Sequence, residues 1–174
     1  MTDTSAVTQT LAHFVVDNQP SNVPEAVYGE ATRSFLNWIG CAVGGSTHPA
    51  VDRAMAAIAP FAGQAQATVL GRGHRTDILH AALLNGITSH VFDFDDTHLK
   101  TIIHPAGPIA SAVLAMAEYQ PLSGAELLHA FIIGVEVECR IGNAVYPAHY
   151  DIGWHITGTA GVFGAAAAVG KMLG

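Results

Sequence analysis

The segment from His90 to Pro105, HVFDFDDTHLKTIIHP, places three carboxylates, three imidazoles and two threonine hydroxyls within sixteen residues. Asp93, Asp95 and Asp96 fall where an apolar helical periodicity runs out, so they crowd a helix C-terminus. Carboxylates there oppose the helix dipole by roughly 0.3–1 kcal/mol each. Crowding also favours a proton on at least one of them. A local rule broken without local compensation often marks a working site. If the helix continues to Thr97, then His90, Asp93 and Thr97 fall at i, i+3 and i+7 on one face, and Asp93 and Thr97 point into one pocket. The same residues also fit a solvated helix end with Asp95 and Asp96 in water. Asp and His at close spacing can ligate a divalent ion. The segment has neither an HExxH nor an EF-hand arrangement, and the expectation is no metal.

Two further clusters could do chemistry. His104 precedes Pro105 on a stiff extended dipeptide, and the next helix begins at once. Its free N–H groups are suited to an anion; a loop histidine without a role is the alternative. In HYDIGWHITGT, His149 to Thr159, Gly153 permits a tight turn and His155, Thr157, Gly158 and Thr159 open a helix. That arrangement suits a carboxylate ligand, with Thr157 as a binding hydroxyl. The alternative is that Trp154 anchors the loop in the core and a threonine caps the helix. His80 and His90 read as satisfied histidines on a helix beside core residues, and His13, His48, His74 and His129 have no supporting neighbours. Cys41 and Cys139 lie in apolar stripes and read as packing residues.

The elements that must position these groups are helical nearly throughout, and the fold class is all-α. Val7, Leu11, Phe14 and Val15 mark a first helix with Ser5 as its cap. Pro24 suits the first turn of a second, carrying Val27, Ala31, Phe35, Trp38 and Ala42 and stopped by Gly44-Gly45. A short third helix runs from Pro49 to Pro60, and QAQATVLGRG is the one plausible extended stretch. Thr76 is expected to cap a fourth helix that turns Ile78, Leu79, Ala82, Leu83, Ile87 and Val91 inward. A fifth follows Pro105 and ends near Glu118. Ser123 and Glu126, in capping-box spacing, open a long sixth. The last begins near Thr157, with Gly158, Gly161, Gly164 and Ala165 where helix backbones can approach closely.

Composition limits the function. The chain has 174 residues, of which 12% are charged and 50% hydrophobic, with a net charge of −7. A disordered chain needs the opposite balance, and a general nucleic-acid binder needs a basic patch. Two cysteines make no disulfide framework. So few charges imply that a partner subunit or further chain covers part of the surface. The stretches 34–51, 101–117 and 152–170 lack charged side chains, but each is interrupted by histidine and other polar residues or by proline, and no membrane span is expected. The N-terminus has neither a basic nor an unbroken apolar region of a signal peptide, so a cytoplasmic location is expected. Gly174 follows directly on an apolar helix, which suggests an interrupted fold, with residues 1–174 the N-terminal portion of one all-α domain.

Taken in order, ALLNGITSHVFDFDDTHL, IIHPAGPIASAVLAMAE, GVEVECRIGNAV and HYDIGWHITGTAGVFGAAAAVGKMLG resemble the MmgE/PrpD family, from about Pro24 to Gly174. That family includes 2-methylcitrate dehydratase, cis-aconitate decarboxylase and iminodisuccinate epimerase. The resemblance implies a helical domain completed by later chain, a smaller α+β lid domain that this sequence lacks, and a homodimer with the active site between domains. It implies no cofactor. It carries Asp93, His104 and His155 over as catalytic residues and Thr97 as a substrate-binding one, with lysine and tyrosine pocket residues coming from later chain. The family's reactions share a proton moving on or off carbon next to a carboxylate of a small di- or tricarboxylic acid. His104 and His155 suit that work because imidazole titrates near neutral pH. Asp93 would orient one of them and Thr97 would hold a substrate carboxylate. A dehydratase-type lyase is the first expectation, although the dehydratases carry a DFNDT-like pattern where this chain has Asp95. A decarboxylase or an epimerase of the same family, and a catalytically inactive truncated helical module, are the alternatives; under the enzyme reading a separate lid polypeptide would complete the chain if its short length is natural.

Overall fold

Ser123 and Glu126 close the expected capping box: Ser123 Oγ accepts the Glu126 N–H at 3.2 Å, and Glu126 Oε2 accepts the Ser123 N–H at 2.8 Å. Two donors that a helix start would leave orphaned are thus satisfied. They begin α6, Gly124–Val145, one of the two longest helices in a computed structural model that describes residues 6–174. Before it come α1 (Val7–Asp17), α2 (Glu25–Gly45), α3 (Pro49–Ile58), the strands β1 (Ala67–Val69) and β2 (His74–Thr76), α4 (Ile78–His90) and α5 (Ala106–Tyr119). After it come the single turn α7 (Ala148–Asp151) and α8 (Ile156–Leu173). Ser5, expected to cap α1, lies outside the described residues.

The bundle is built around α5. Its residues are small or apolar until Glu118, which lets it be buried nearly all round between α4 on one side and α6 with α8 on the other. Ile109, Val113 and Met116 meet Trp38 of α2 and Phe131 of α6 in the main core. Phe35 bridges those two rings, 5.4 Å from each. α6 and α8 approach to backbone contact. A Cβ built on Gly134 or on Gly164 would lie 2.8 Å from the other's carbonyl oxygen. By length and composition α8 alone among the described helices could cross a membrane. Here it packs along α6 and α5 through Ala160, Gly161, Gly164 and Ala168, leaving Val162 and Phe163 exposed.

β1 and β2 form an antiparallel hairpin with Ala67 opposite Thr76. Asn85, fully buried on α4, fastens it by accepting the Leu70 N–H and donating to the Thr68 carbonyl, both at 2.9 Å.

Two expectations for α4 fail. Thr76 ends β2, and the cap is Asp77, whose Oδ1 accepts the N–H groups of Leu79 and His80 at 3.1 Å. Hydrogen bonds from Gly63 and His80 hold the Asp77 carboxyl well below the usual range. The buried face is Ala81, Leu84, Asn85, Thr88 and Ser89, while Leu79 and Leu83 are exposed. α4 carries apolar residues on every side, so periodicity does not single out the face that packs. The small and polar face is the one that lets α2 and α5 approach closely.

Candidate active site

The helix does not persist to Thr97. α4 ends at His90, and Asp93 takes a left-handed conformation with φ 57° while its N–H donates to the His90 carbonyl at 3.0 Å. Aspartate tolerates that conformation better than most residues. The expected shared face of His90, Asp93 and Thr97 is therefore absent. Thr97 is exposed, its hydroxyl 3.5 Å from the Asp95 carbonyl.

The chain then doubles back. His98 donates its N–H to the Ile103 carbonyl at 2.8 Å across a tight reversal that includes Ile102 at φ 57°. This returns His104 to the end of α4. Its backbone N–H donates to Thr157 Oγ1 at 3.0 Å, which brings the start of α8 to the same place.

Four side chains converge there. Asp95, whose side chain is wholly buried, accepts from His90 Nδ1 with its two oxygens at 3.0 and 3.1 Å. His104 Nδ1 lies 3.3 Å from the same Asp95 Oδ1, but poor alignment leaves that nitrogen without a hydrogen bond among the described residues. On the opposite edge of the rings, Asp93 Oδ1 is 3.5 Å from His104 Nε2 and 3.9 Å from His90 Nε2. The two rings meet edge to face at 4.9 Å, and the His155 ring lies 6.2 Å from that of His90. The ligand-capable atoms of His90, Asp93, Asp95 and His104 lie within 4.8 Å of one another, close enough for one cation. The same atoms already face each other as carboxylate–imidazole pairs.

Neither helix N-terminus is open in the way expected. Asp96 accepts the Ala106 N–H at the start of α5, at 3.1 Å, and the Ser34 hydroxyl at 2.8 Å. Its burial pushes its carboxyl pKa above the usual value. At α8 the Gly158 N–H donates to His155 Nδ1 at 3.1 Å, so His155 itself is the cap. That bond leaves Nε2 of His155 to carry the proton of a neutral ring. Thr157 is buried and holds the His104 backbone. Trp154 does not anchor the loop in the core: it is exposed and stacks on His149, which reaches Thr159 Oγ1 at 2.9 Å.

His104, His155 and Asp93 are thus brought together as the sequence suggests. Asp95 and His90 also stand at the centre, and the sequence reading assigns neither a role: burial of Asp95 rules out the alternative of a solvated helix end, and His90, read as satisfied beside core residues, pairs with it. The histidine's spacing to Asp93 was the one local signal for it. Behind α8 lies Glu138 of α6, fully buried and without a hydrogen-bond partner among the described residues. Burial, with Asp96 adding to it, pushes its carboxyl up to about 9.

A profile of the MmgE/PrpD N-terminal domain matches residues 9–174. The chain belongs to the MmgE/PrpD family. A cis-aconitate decarboxylase-like protein, oryM, of Aspergillus oryzae is 33% identical over 97% of this chain and 36% of its own length. Cis-aconitate decarboxylases of Aspergillus terreus and Homo sapiens are 29% and 30% identical over 98% and 97% of this chain. The chain spans 36% of the length of each of these relatives. The MmgE/PrpD fold expected for the N-terminal part, a helical bundle, is the fold observed.

Proposed function

We propose that this chain is the N-terminal part of a lyase acting beside a carboxylate of a small tricarboxylic acid, with decarboxylation of a cis-aconitate-like substrate as the leading reaction. The observation that carries the proposal is the clamping of His104 between Asp93 and Asp95, beside His90 and His155, where α4 ends and α5 and α8 begin. Three imidazoles within one site can bind an anion when charged and exchange protons with it.

In decarboxylation the carbon–carbon bond to the departing carboxylate breaks, and its electron pair must end in a new C–H bond. The donor must hold a proton close to that carbon and give it up near neutral pH. His104 fills that role, with Asp93 facing its Nε2 and Thr157 fixing its backbone. His155, capped on Nδ1 by the Gly158 N–H, offers its Nε2 to a substrate carboxylate. In this proposal Thr97, whose hydroxyl lies 3.5 Å from the Asp95 carbonyl, joins it when substrate and later chain close the site. The remaining positive charge that a tricarboxylate needs comes from later chain in this proposal, which also carries a lid and a homodimer.

Dehydration, the first expectation from sequence, ranks second. The similar relatives carry decarboxylase names. The position that departs from the dehydratase-like pattern, Asp95, is a buried carboxylate between two imidazoles. The test offers the protein at its natural length cis-aconitate, 2-methylcitrate and iminodisuccinate separately and identifies the product of each. Carbon dioxide released from cis-aconitate supports the proposal. Loss of water from 2-methylcitrate as the fastest reaction restores the dehydratase reading, and turnover of none of the three removes the lyase assignment.

A further inference from the structure

His90 has no part in the proton transfer just described, yet it sits at its centre. An ionised carboxylate only accepts, so the proton of a neutral His90 lies on Nδ1, 3.0 Å from Asp95 Oδ1. Its Nε2 is then a free base on the ring's other edge, toward Asp93. His90 also differs from His104 in access. The His90 side chain is 40% exposed and that of His104 is 12% exposed. Its ring lines an open apolar groove of about 830 Å³ between α4, α5 and α8, with Leu83, Ile87, Pro108 and Val162. Asp93 Oδ1 faces both Nε2 atoms, 3.9 Å from that of His90 and 3.5 Å from that of His104.

We propose that His90 is the proton-relay residue of this site, returning to His104, by way of Asp93, the proton that His104 spends on substrate. The inference rests on the decarboxylase reading above. In each turnover His104 Nε2 gives one proton to carbon as carbon dioxide leaves, and the ring becomes neutral. His90 Nε2 takes up one proton from bulk solvent, the one proton that the reaction consumes as C–H replaces C–COO⁻. That proton passes along the Asp93 carboxylate to His104 Nε2, and the site regains its starting charge. Distances of 3.5–3.9 Å require a small side-chain swing or a bridging water at each transfer. Asp95 holds His90 in the tautomer the relay needs and takes no proton itself.

The test uses the protein at its natural length, turning over cis-aconitate. His90→Gln keeps an N–H for Asp95 but cannot pass a proton, so kcat is expected to fall by about tenfold or more while KM stays within about twofold. His90→Ala is expected to lose a similar amount and to regain activity with added imidazole, which a merely structural loss would not do. Wild-type kcat in His90→Gln would overturn the relay and leave the decarboxylase reading standing. So would His90→Ala that imidazole does not rescue, provided its thermal unfolding matches the wild type. If the wild type does not turn over cis-aconitate while His104→Ala is equally inert, both readings fall together.

Discussion

Thr157 accepts the backbone N–H of His104 at 3.0 Å, joining residues 53 positions apart. One hydroxyl therefore ties the start of α8 to the loop that carries the central imidazole. Thr157→Val keeps the shape and removes the acceptor, leaving a buried N–H unpaired at a cost of about 1–3 kcal/mol. We expect a fall in kcat/KM of about tenfold together with a lowered Tm. Thr157→Ser, which restores the acceptor, should recover most of both. Steady-state kinetics and thermal unfolding of the pair check this.

Asp95 is the buried carboxylate that faces both His90 and His104. Asp95→Asn conserves volume but removes the charge and one acceptor, so two imidazoles are left to share a single carbonyl oxygen. The expected outcome is a kcat reduced by about 10- to 100-fold with the fold intact. Circular dichroism beside the rate measurement separates this from unfolding.

Glu138 links the interior to pH. Its carboxyl is raised from 4.5 to about 9, with burial the main cause. The native state therefore holds a proton that the unfolded state releases between those values. The stabilisation is whole below 4.5 and is lost as pH rises through about 9. Asp96, which raises Glu138 further and is itself raised by burial, acts with the same sign. Glu138→Gln removes the larger titration. At about pH 8 it should be more stable than wild type by on the order of 1–3 kcal/mol, and the advantage should shrink toward pH 5. Urea unfolding at the two pH values reads the difference.

Two glycines of α8 should respond to alanine with opposite signs. A Cβ at Gly164 would press to 2.8 Å on the Gly134 carbonyl oxygen, a backbone atom that cannot step aside. Gly164→Ala is expected to cost about 1–3 kcal/mol. Among the described residues no atom lies within 4 Å of such a Cβ at Gly170, and Gly170→Ala should gain up to about 1 kcal/mol from helix propensity. Unfolding of both variants tests the close approach of α6 and α8.

What the sequence made legible follows from how local each signal is. The capping box at Ser123 and Glu126 and the end of α5 near Glu118 depend on neighbours within one turn, and both appear in the structure as expected. His104 and His155 were legible because each stands at a helix start. The buried face of α4 was not, because Asn85 is inside for the sake of a hairpin that precedes it in the chain. Asp95 was not, because its burial follows from two left-handed residues, Asp93 and Ile102, that reverse the chain outside any periodic pattern. Asp96 reads as a charge in water until Ser34 and Ala106 are known to meet it.

The most direct measurement is the rate of carbon dioxide release from cis-aconitate by the natural-length protein and by its His104→Ala variant. The expected result is turnover in the wild type that falls by about 100-fold or more when the imidazole is removed. Equal rates in the two proteins would contradict the assignment of this histidine, and with it the proposed site.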